Sequence, residues 1–204
     1  MKHIYLIRHA ESFANAGGQA LADSAIPLSE KGQRQAQELV ARLPPSAKVY
    51  TSEFLRTQQT AQPYCAHWQV NTEVLPCLNE FSYLPLAMIE GLTGQQRQPL
   101  VQSFWSQANP DLRLAEETDS FAQFNRRIDQ FLAAAPDFAA DTLCFGHGIW
   151  IALLVWRLLG FSAESGEDMQ KFRQFQPNLP MKNTAIWQLK LINDKIDGIY
   201  CLNP

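Results

Sequence analysis

Charged side chains make up only 18% of the 204 residues, so charges that directly follow apolar runs stand out. Arg8 and His9 close the apolar run at 3–7. Arg56 lies just beyond the run at 48–51, and Gly146-His147-Gly148 follows the run at 142–145. If each run is a strand, these groups collect at strand ends. In an open α/β sheet the carboxyl ends of the strands form the usual binding crevice. Two guanidiniums and two imidazoles in one crevice make a cationic pocket, here inside a chain of formal net charge −3. Such a pocket suits a compact anion. Phosphate is the natural candidate, because the guanidinium fork matches its oxygens.

The elements that position these groups can be read from pattern. Residues 3–7 open the chain as a buried strand would. A small, polar loop containing Gly17-Gly18 leads to Pro27-Leu28-Ser29. Ser29 is placed to cap a helix, with Glu30 in its first turn. Ala36, Leu39, Val40 and Leu43 fall on one helical face, and Pro44-Pro45 ends it. Residues 48–51 read as a second strand, 53–67 as a helix with Leu55, Thr60 and Ala61 inward, and 69–75 as a weaker third strand. From 76 to 117 the pattern is irregular, with Phe104-Trp105 in a helix, and this stretch is read as a cap-like insertion over the sheet. Phe121, Phe124, Ile128 and Leu132 share one face of a helix over 119–135. A strand at 142–145 precedes an apolar helix over 149–159. Trp187, Leu189 and Leu191 alternate with polar residues as in a half-buried strand. Asn193-Asp194 signals a turn into a last strand at 196–201, an edge hairpin. Alternating strands and helices indicate an α/β three-layer sandwich: a mainly parallel central sheet with helices on both faces. One domain over 1–204 is the simplest organisation.

Composition removes several classes. A sequence pI near 5.8 speaks against a broad nucleic-acid-binding surface, which needs a basic stripe. The four cysteines form no C-x-x-C pair, so structural zinc is not expected; Cys144 reads as a buried free thiol. The N-terminal apolar run is too short for a signal peptide, and no stretch approaches the roughly 20 apolar residues of a membrane span. A cytoplasmic protein with reduced thiols is expected.

Arg8-His9-Ala10-Glu11-Ser12-Phe13-Ala14-Asn15 resembles the Arg-His-Gly-Glu-Ser/Thr-x-x-Asn opening of the histidine phosphatase superfamily, the phosphoglycerate-mutase-like proteins. Leu28-Ser29 with Gly32, Gln35 and Ala36 looks like the family's first-helix motif. Ser52, Arg56, Thr60 and Ala61 look like its Ser-x-x-x-Arg-x-x-x-Thr-Ala motif. Leu78-Asn79-Glu80 resembles its Leu-x-Glu, Phe145-Gly146-His147-Gly148 its second histidine motif, and Asn183-Thr184-Ala185 its late Asn-x-x turn. The matches come in the family's order and cover nearly the whole chain.

The resemblance implies a phosphoglycerate-mutase-like fold and a metal-independent phosphatase with no cofactor. It implies that His9 is the nucleophile and forms a phosphohistidine. Arg8, Arg56 and His147 are implied to hold the equatorial oxygens, with Asn15 and the Gly148 backbone as further donors. Ser52 is either a ligand or a helix cap. Glu80 is implied to protonate the leaving oxygen and later to activate water; Glu90, Glu116 and Glu117 share its irregular segment. The expected substrate is a phosphomonoester, either a small phosphorylated metabolite or a phosphorylated side chain. Oligomeric state is left open.

Two departures bear on this. Ala10 stands where the family usually has Gly, and its Cβ is tolerable only if φ is negative. The Glu-Arg-His-Tyr-Gly stretch of the cofactor-dependent mutases is absent, since Phe81-Ser82-Tyr83 follows Glu80, which favours hydrolysis over mutation. A mutase and a catalytically weak phosphate-binding module are the alternatives. Phe81, Tyr83 and Trp105 could shape a less polar leaving-group pocket, although aromatic stripes are core by default. His3 and His67 read as structural or exposed, and Arg126-Arg127 as a solvated helix face.

Overall fold

In a computed structural model, which describes residues 1–203, the chain runs β1 (Lys2–Arg8), α1 (Glu30–Leu39), β2 (Val49–Thr51), α2 (Leu55–Trp68), β3 (Thr72–Val74), α3 (Leu86–Ile89), α4 (Gln98–Ser106), α5 (Phe121–Ala134), β4 (Thr142–Gly146), α6 (Gly148–Leu158), α7 (Gly166–Phe175), β5 (Ile186–Ile192) and β6 (Lys195–Cys201). The strands form one six-stranded sheet in the order β3-β2-β4-β1-β5-β6. β1 to β4 run parallel, and the β5–β6 hairpin joins β1 antiparallel. The fold is the α/β sandwich expected from the alternation.

Side-chain alternation along each strand assigns the two faces. Ile4, Leu6, Cys144, Leu189 and Leu191 face a core shared with Phe124, Ile128 and Phe131 of α5 and Trp150 of α6. Ile7, Val49, Leu143 and Phe145 face the other side, against Leu39 of α1 and Ala61 and Tyr64 of α2. Every residue of α6 from Trp150 to Trp156 is buried, as its all-round apolar sequence requires. Leu55, expected inward, is only half-buried; the inner face of α2 carries Arg56, Thr57, Thr60, Ala61 and Tyr64 instead.

The ends of the helices follow local chemistry. Ser29 Oγ accepts from the Gly32 N–H at 3.0 Å, as expected of a cap. α5 and α7 both begin with capping boxes, Ser120/Gln123 and Ser165/Asp168. The third strand is shorter than expected. Gln69 takes a left-handed conformation, φ 53°, that ends α2, and the exposed edge strand β3 starts only at Thr72. Between β3 and α5 the chain makes a 3-10 turn at Pro76–Leu78 and the two α-helices α3 and α4, held down by rings. Phe81 stacks on Phe124 with centroids 4.8 Å apart, and Tyr83 packs on Phe104 at 4.5 Å.

Gly32 sets how closely the loop after β1 can lie on α1. A Cβ at this position would stand 1.9 Å from the carbonyl oxygen of Glu11. Gly32→Ala is therefore expected to cost about 1–3 kcal/mol of stability through overpacking. Urea unfolding checks this, and an unchanged midpoint would show that the loop and helix separate freely.

Candidate active site

β1, β2 and β4 end level with one another, with Arg8 paired to Gly146 and Thr51 to Phe145. The segments leaving these carboxyl ends enclose a cavity of about 400 Å³. Arg8, His9, Asn15, Arg56, Glu80 and Gly148 all line it, so the structure brings together residues far apart in sequence. The loop after β1 is tied down on two sides. The His9 N–H donates to Gly146 O at 3.0 Å, and the Thr184 N–H donates to Arg8 O at 3.2 Å. Asn183 Nδ2 donates to His9 O and to Asn15 Oδ1, both at 3.1 Å.

His9 is buried, with Nδ1 2.7 Å from the carbonyl oxygen of Ala10. That oxygen can only accept, so Nδ1 carries the hydrogen and Nε2 keeps its lone pair. Burial first, then the charges of Arg56 and Arg8, hold the imidazole well below its ordinary 6.5, against the bond to Ala10. Ala10 is accommodated without strain. It lies outside the left-handed region, its Cβ is buried against Leu28 and Ala36, and its N–H donates to Thr60 Oγ1 at 3.0 Å.

Both arginines are anchored by neutral carbonyls. Arg8 Nη1 donates to Met181 O, and Arg56 Nη1 donates to Asp23 O at 2.6 Å. Among the described residues neither guanidinium is in a salt bridge. Burial pulls both below their ordinary value, yet a guanidinium stays charged at neutral pH. Gly148 leaves room for this: a Cβ there would lie 3.2 Å from Arg8 Nε.

His147 and Ser52 differ from expectation. Neither lines the cavity. His147 is fully buried, edge-on to His9 with ring centroids 5.3 Å apart, and also edge-on to Phe54 at 5.0 Å. Ser52 sits behind it, with Oγ 2.8 Å from His147 Nε2 and 2.9 Å from Thr57 Oγ1. Ser52 thus grips a histidine instead of facing an anion. It does so because it sits at the start of the turn from β2 into α2, beneath the ring. Burial, followed by Arg56, His9, Arg8 and Arg127, keeps the His147 imidazole well below 6.5.

Glu80 is held at the start of α6. Its Oε2 accepts from Ile149 N–H and its Oε1 from Trp150 N–H, both at 3.0 Å, and Phe81 N–H adds a third bond at 3.1 Å. Burial raises its pKa above the usual carboxylate value, while the Ile149 and Phe81 N–H groups and Arg56 and Arg8 pull the other way. Of the carboxylates in the irregular segment, Glu80 is the one on this cavity wall. Arg127 braces it and is not simply solvated: it forms two bonds to the Asp119 carboxylate, 2.8 and 2.7 Å, and donates to Glu80 O at 3.1 Å. Arg126 is exposed, as expected.

The leaving-group side also departs from expectation. Phe81, Tyr83 and Trp105 pack into one another and do not line the cavity. Ile26, Ile149, Ala152, Met181, Gln176 and Arg97 do. Arg97 carries no signal in the sequence, and its guanidinium makes no hydrogen bond or salt bridge among the described residues. No motif marks it, because it lies in the patternless stretch before α4. Among the described residues, no three His, Cys, Asp or Glu side chains gather at metal-binding spacing. Among the described residues no helix is long and apolar enough to cross a membrane.

A protein with this sheet, and with paired histidines and arginines at its strand ends, falls in a phosphoryl-transfer class. The profile of the histidine phosphatase superfamily (branch 1) matches residues 4–195, and the chain belongs to that superfamily. It is 29% identical over 206 residues to an adenosylcobalamin/alpha-ribazole phosphatase of Escherichia coli, covering 98% of this chain and 95% of that protein. It is also 29% identical to a probable phosphoglycerate mutase of Yersinia enterocolitica, over 78% of this chain and 76% of that one. Its fold matches the crystal structure of a putative alpha-ribazole-5'-P phosphatase from E. coli, with TM-score 0.72, 22% identity and coverage of 100% and 96%. A mycobacterial glucosyl-3-phosphoglycerate phosphatase matches with TM-score 0.66 and 20% identity over 92% of this chain and 89% of that one.

The two depressed imidazoles have a consequence for stability. The unfolded chain takes up protons near pH 6.5 and the folded one does not, so stability is full above that pH and falls as pH drops. Each imidazole contributes a slope of up to about 1.4 kcal/mol per pH unit. Denaturation between pH 7.5 and 5 is expected to show this loss, and His147→Gln to show a shallower one. A flat profile would mean that both rings protonate freely in the fold.

Proposed function

We propose that this chain hydrolyses a phosphomonoester through a phosphohistidine on His9. The reading is carried by one observation: a neutral imidazole, with Nε2 unprotonated, beside a cavity walled by Arg8, Arg56 and the Glu80 carboxyl group. In the first step the Nε2 lone pair of His9 attacks phosphorus. The bond from phosphorus to the ester oxygen breaks, and that oxygen takes a proton from Glu80. In the second, ionised Glu80 takes a proton from water, the water oxygen attacks phosphorus, and the P–N bond breaks. Inorganic phosphate leaves and both groups return to their starting states. Arg8, Arg56 and His147 balance charge on the transferring group, with Asn15 and the Gly148 backbone as donors.

The substrate is read as a small phosphorylated metabolite and not a phosphorylated protein side chain, given the cavity of about 400 Å³ and the names of the relatives. We take residues 76–117, within a single domain over 1–204, as the cap that selects it. The four free cysteines suit a reducing cytoplasm. The unpaired guanidinium of Arg97 suits a leaving group that carries an anionic substituent.

His9→Ala is expected to abolish phosphate release and acid-labile labelling; a variant that kept near-normal turnover would sink the mechanism. Glu80→Ala should lower kcat by about 10²–10⁴-fold. With an aryl phosphate, whose leaving group needs little protonation, it should accumulate phosphohistidine, because the second step still lacks its base. A mutase would instead isomerise phosphoglycerate faster than it released phosphate. Arg97→Ala should narrow the ratio of kcat/KM between an acidic phosphomonoester and a neutral one of the same size; an unchanged ratio removes Arg97 from substrate choice.

A further inference from the structure

Behind the catalytic wall lies a buried chain of hydroxyl groups that takes no direct part in these steps. Thr57 Oγ1 is 2.7 Å from Phe54 O, Ser52 Oγ is 2.9 Å from Thr57 Oγ1, and His147 Nε2 is 2.8 Å from Ser52 Oγ. Ser52 Oγ also accepts from the Phe54 N–H at 3.1 Å. Ser52, Thr57 and His147 are all fully buried.

Each contact needs one hydrogen, and the supply is limited. A carbonyl oxygen cannot donate, so the Thr57 hydroxyl hydrogen points to Phe54 O. Thr57 Oγ1 is then an acceptor and takes the hydrogen of Ser52. Ser52 Oγ is left to accept from His147, so Nε2 carries the ring hydrogen. The reverse direction would leave the 2.7 Å Thr57–Phe54 contact with two acceptors and no hydrogen. It follows that Nδ1 of neutral His147 holds only a lone pair. Nδ1 is buried and has no hydrogen-bond partner. His147 stands behind the cavity wall, its ring edge-on to that of His9 at 5.3 Å, so it acts on an anion there through its charge, and it carries that charge only after Nδ1 gains a proton.

We infer that Ser52 and Thr57 are positioning residues that fix the hydrogen of His147 on Nε2, so that entry of a tetrahedral dianion is coupled to uptake of one proton from solvent at His147 Nδ1. The inference rests on the reading that this pocket binds a phosphoryl group. The charged and titratable groups around the ring are Arg56, His9, Arg8 and Arg127. The three guanidiniums among them oppose a second proton on the empty site, and an anion among them reverses that balance. Substrate and proton thus bind as a unit, and the resulting imidazolium adds a third positive charge beside Arg8 and Arg56.

The test begins with the free protein. Nitrogen-15 NMR of the histidine rings should show His147 with hydrogen on Nε2 and a bare Nδ1; hydrogen on Nδ1 overturns the inference. Sulfate is the ligand probe, because it stays a dianion throughout. Calorimetry at pH 7.5 in buffers of different ionisation enthalpy should show about one proton taken up per sulfate bound. Binding with no uptake overturns the inference and leaves the phosphate pocket standing. No binding at all sinks the pocket reading and the inference with it. In Thr57→Val the Ser52 hydrogen is released to point at Nε2, so the ring hydrogen should move to Nδ1 and the coupling should disappear. Thr57→Ser should restore both. If Thr57→Val keeps the wild-type tautomer and uptake, the hydroxyl chain does not control the ring.

Discussion

The site depends on holding two guanidiniums in a buried crevice without neutralising them. A carboxylate partner for Arg8 or Arg56 would satisfy its hydrogen bonds and cancel the charge that an incoming phosphoryl group needs. The chain uses main-chain carbonyls instead, Met181 O for Arg8 and Asp23 O for Arg56. Each carbonyl takes one guanidinium donor and brings no charge of its own. Burial first, and then the positive charge of Arg56 and Arg8, holds both nearby imidazoles toward their neutral forms. Carboxylate pairing serves mechanical bracing elsewhere. Asp119 and Arg127 are bound through both oxygens and both terminal nitrogens, and together they clamp the chain at Glu80 and Ser82. Around the cavity Asp23 and Glu80 act on the guanidiniums through space without forming a salt bridge, whereas the Arg127–Asp119 pair is joined directly.

What could be read from the sequence follows from how far each signal reaches. Periodicity exposed the strands and long helices, because an amphipathic pattern records one face buried against one layer. The cationic groups were legible because they directly follow apolar runs, where charge is otherwise costly. The order of motifs gave Glu80, which no periodicity marks. Thr57 was invisible: it occupies an ordinary inward position of α2, and its role exists only because β2 and β4 set Ser52 beneath His147. Arg97 had no signal because it lies in the patternless stretch before α4. Arg127 looked like a surface residue because its partners, Asp119 and the Glu80 carbonyl, meet it only in the fold.

The irregular stretch before α5 resisted reading for a different cause. Its stability comes from rings that meet edge to face or stacked across several elements, as Phe81 does with Phe104, Trp105, Phe121 and Phe124. Such contacts are satisfied by geometry in three dimensions and impose no repeat on the chain. The same aromatic residues that could have walled a leaving-group pocket are used up in this packing. The cavity is therefore lined by aliphatic residues and Met181, with Asp23, Arg97 and Gln176 among its polar residues.

Glu80 shows how one carboxyl group can serve as acid and then as base in the proposed cycle. Burial favours its protonated form, and the first N–H groups of α6 favour its ionised form. Burial is the larger of these opposing influences and holds the carboxyl above its usual range, and a neighbouring charge moves it further. A phosphoryl dianion arriving beside it raises its hold on a proton, which suits donation to the leaving oxygen. Once that proton has gone with the alcohol, the helix N–H groups stabilise the carboxylate that remains, and it is ready to accept a proton from water. Had the carboxyl lain in a purely apolar recess it would stay protonated, and had it lain on the helix end in open solvent it would stay ionised. The position at a buried helix start is what allows both.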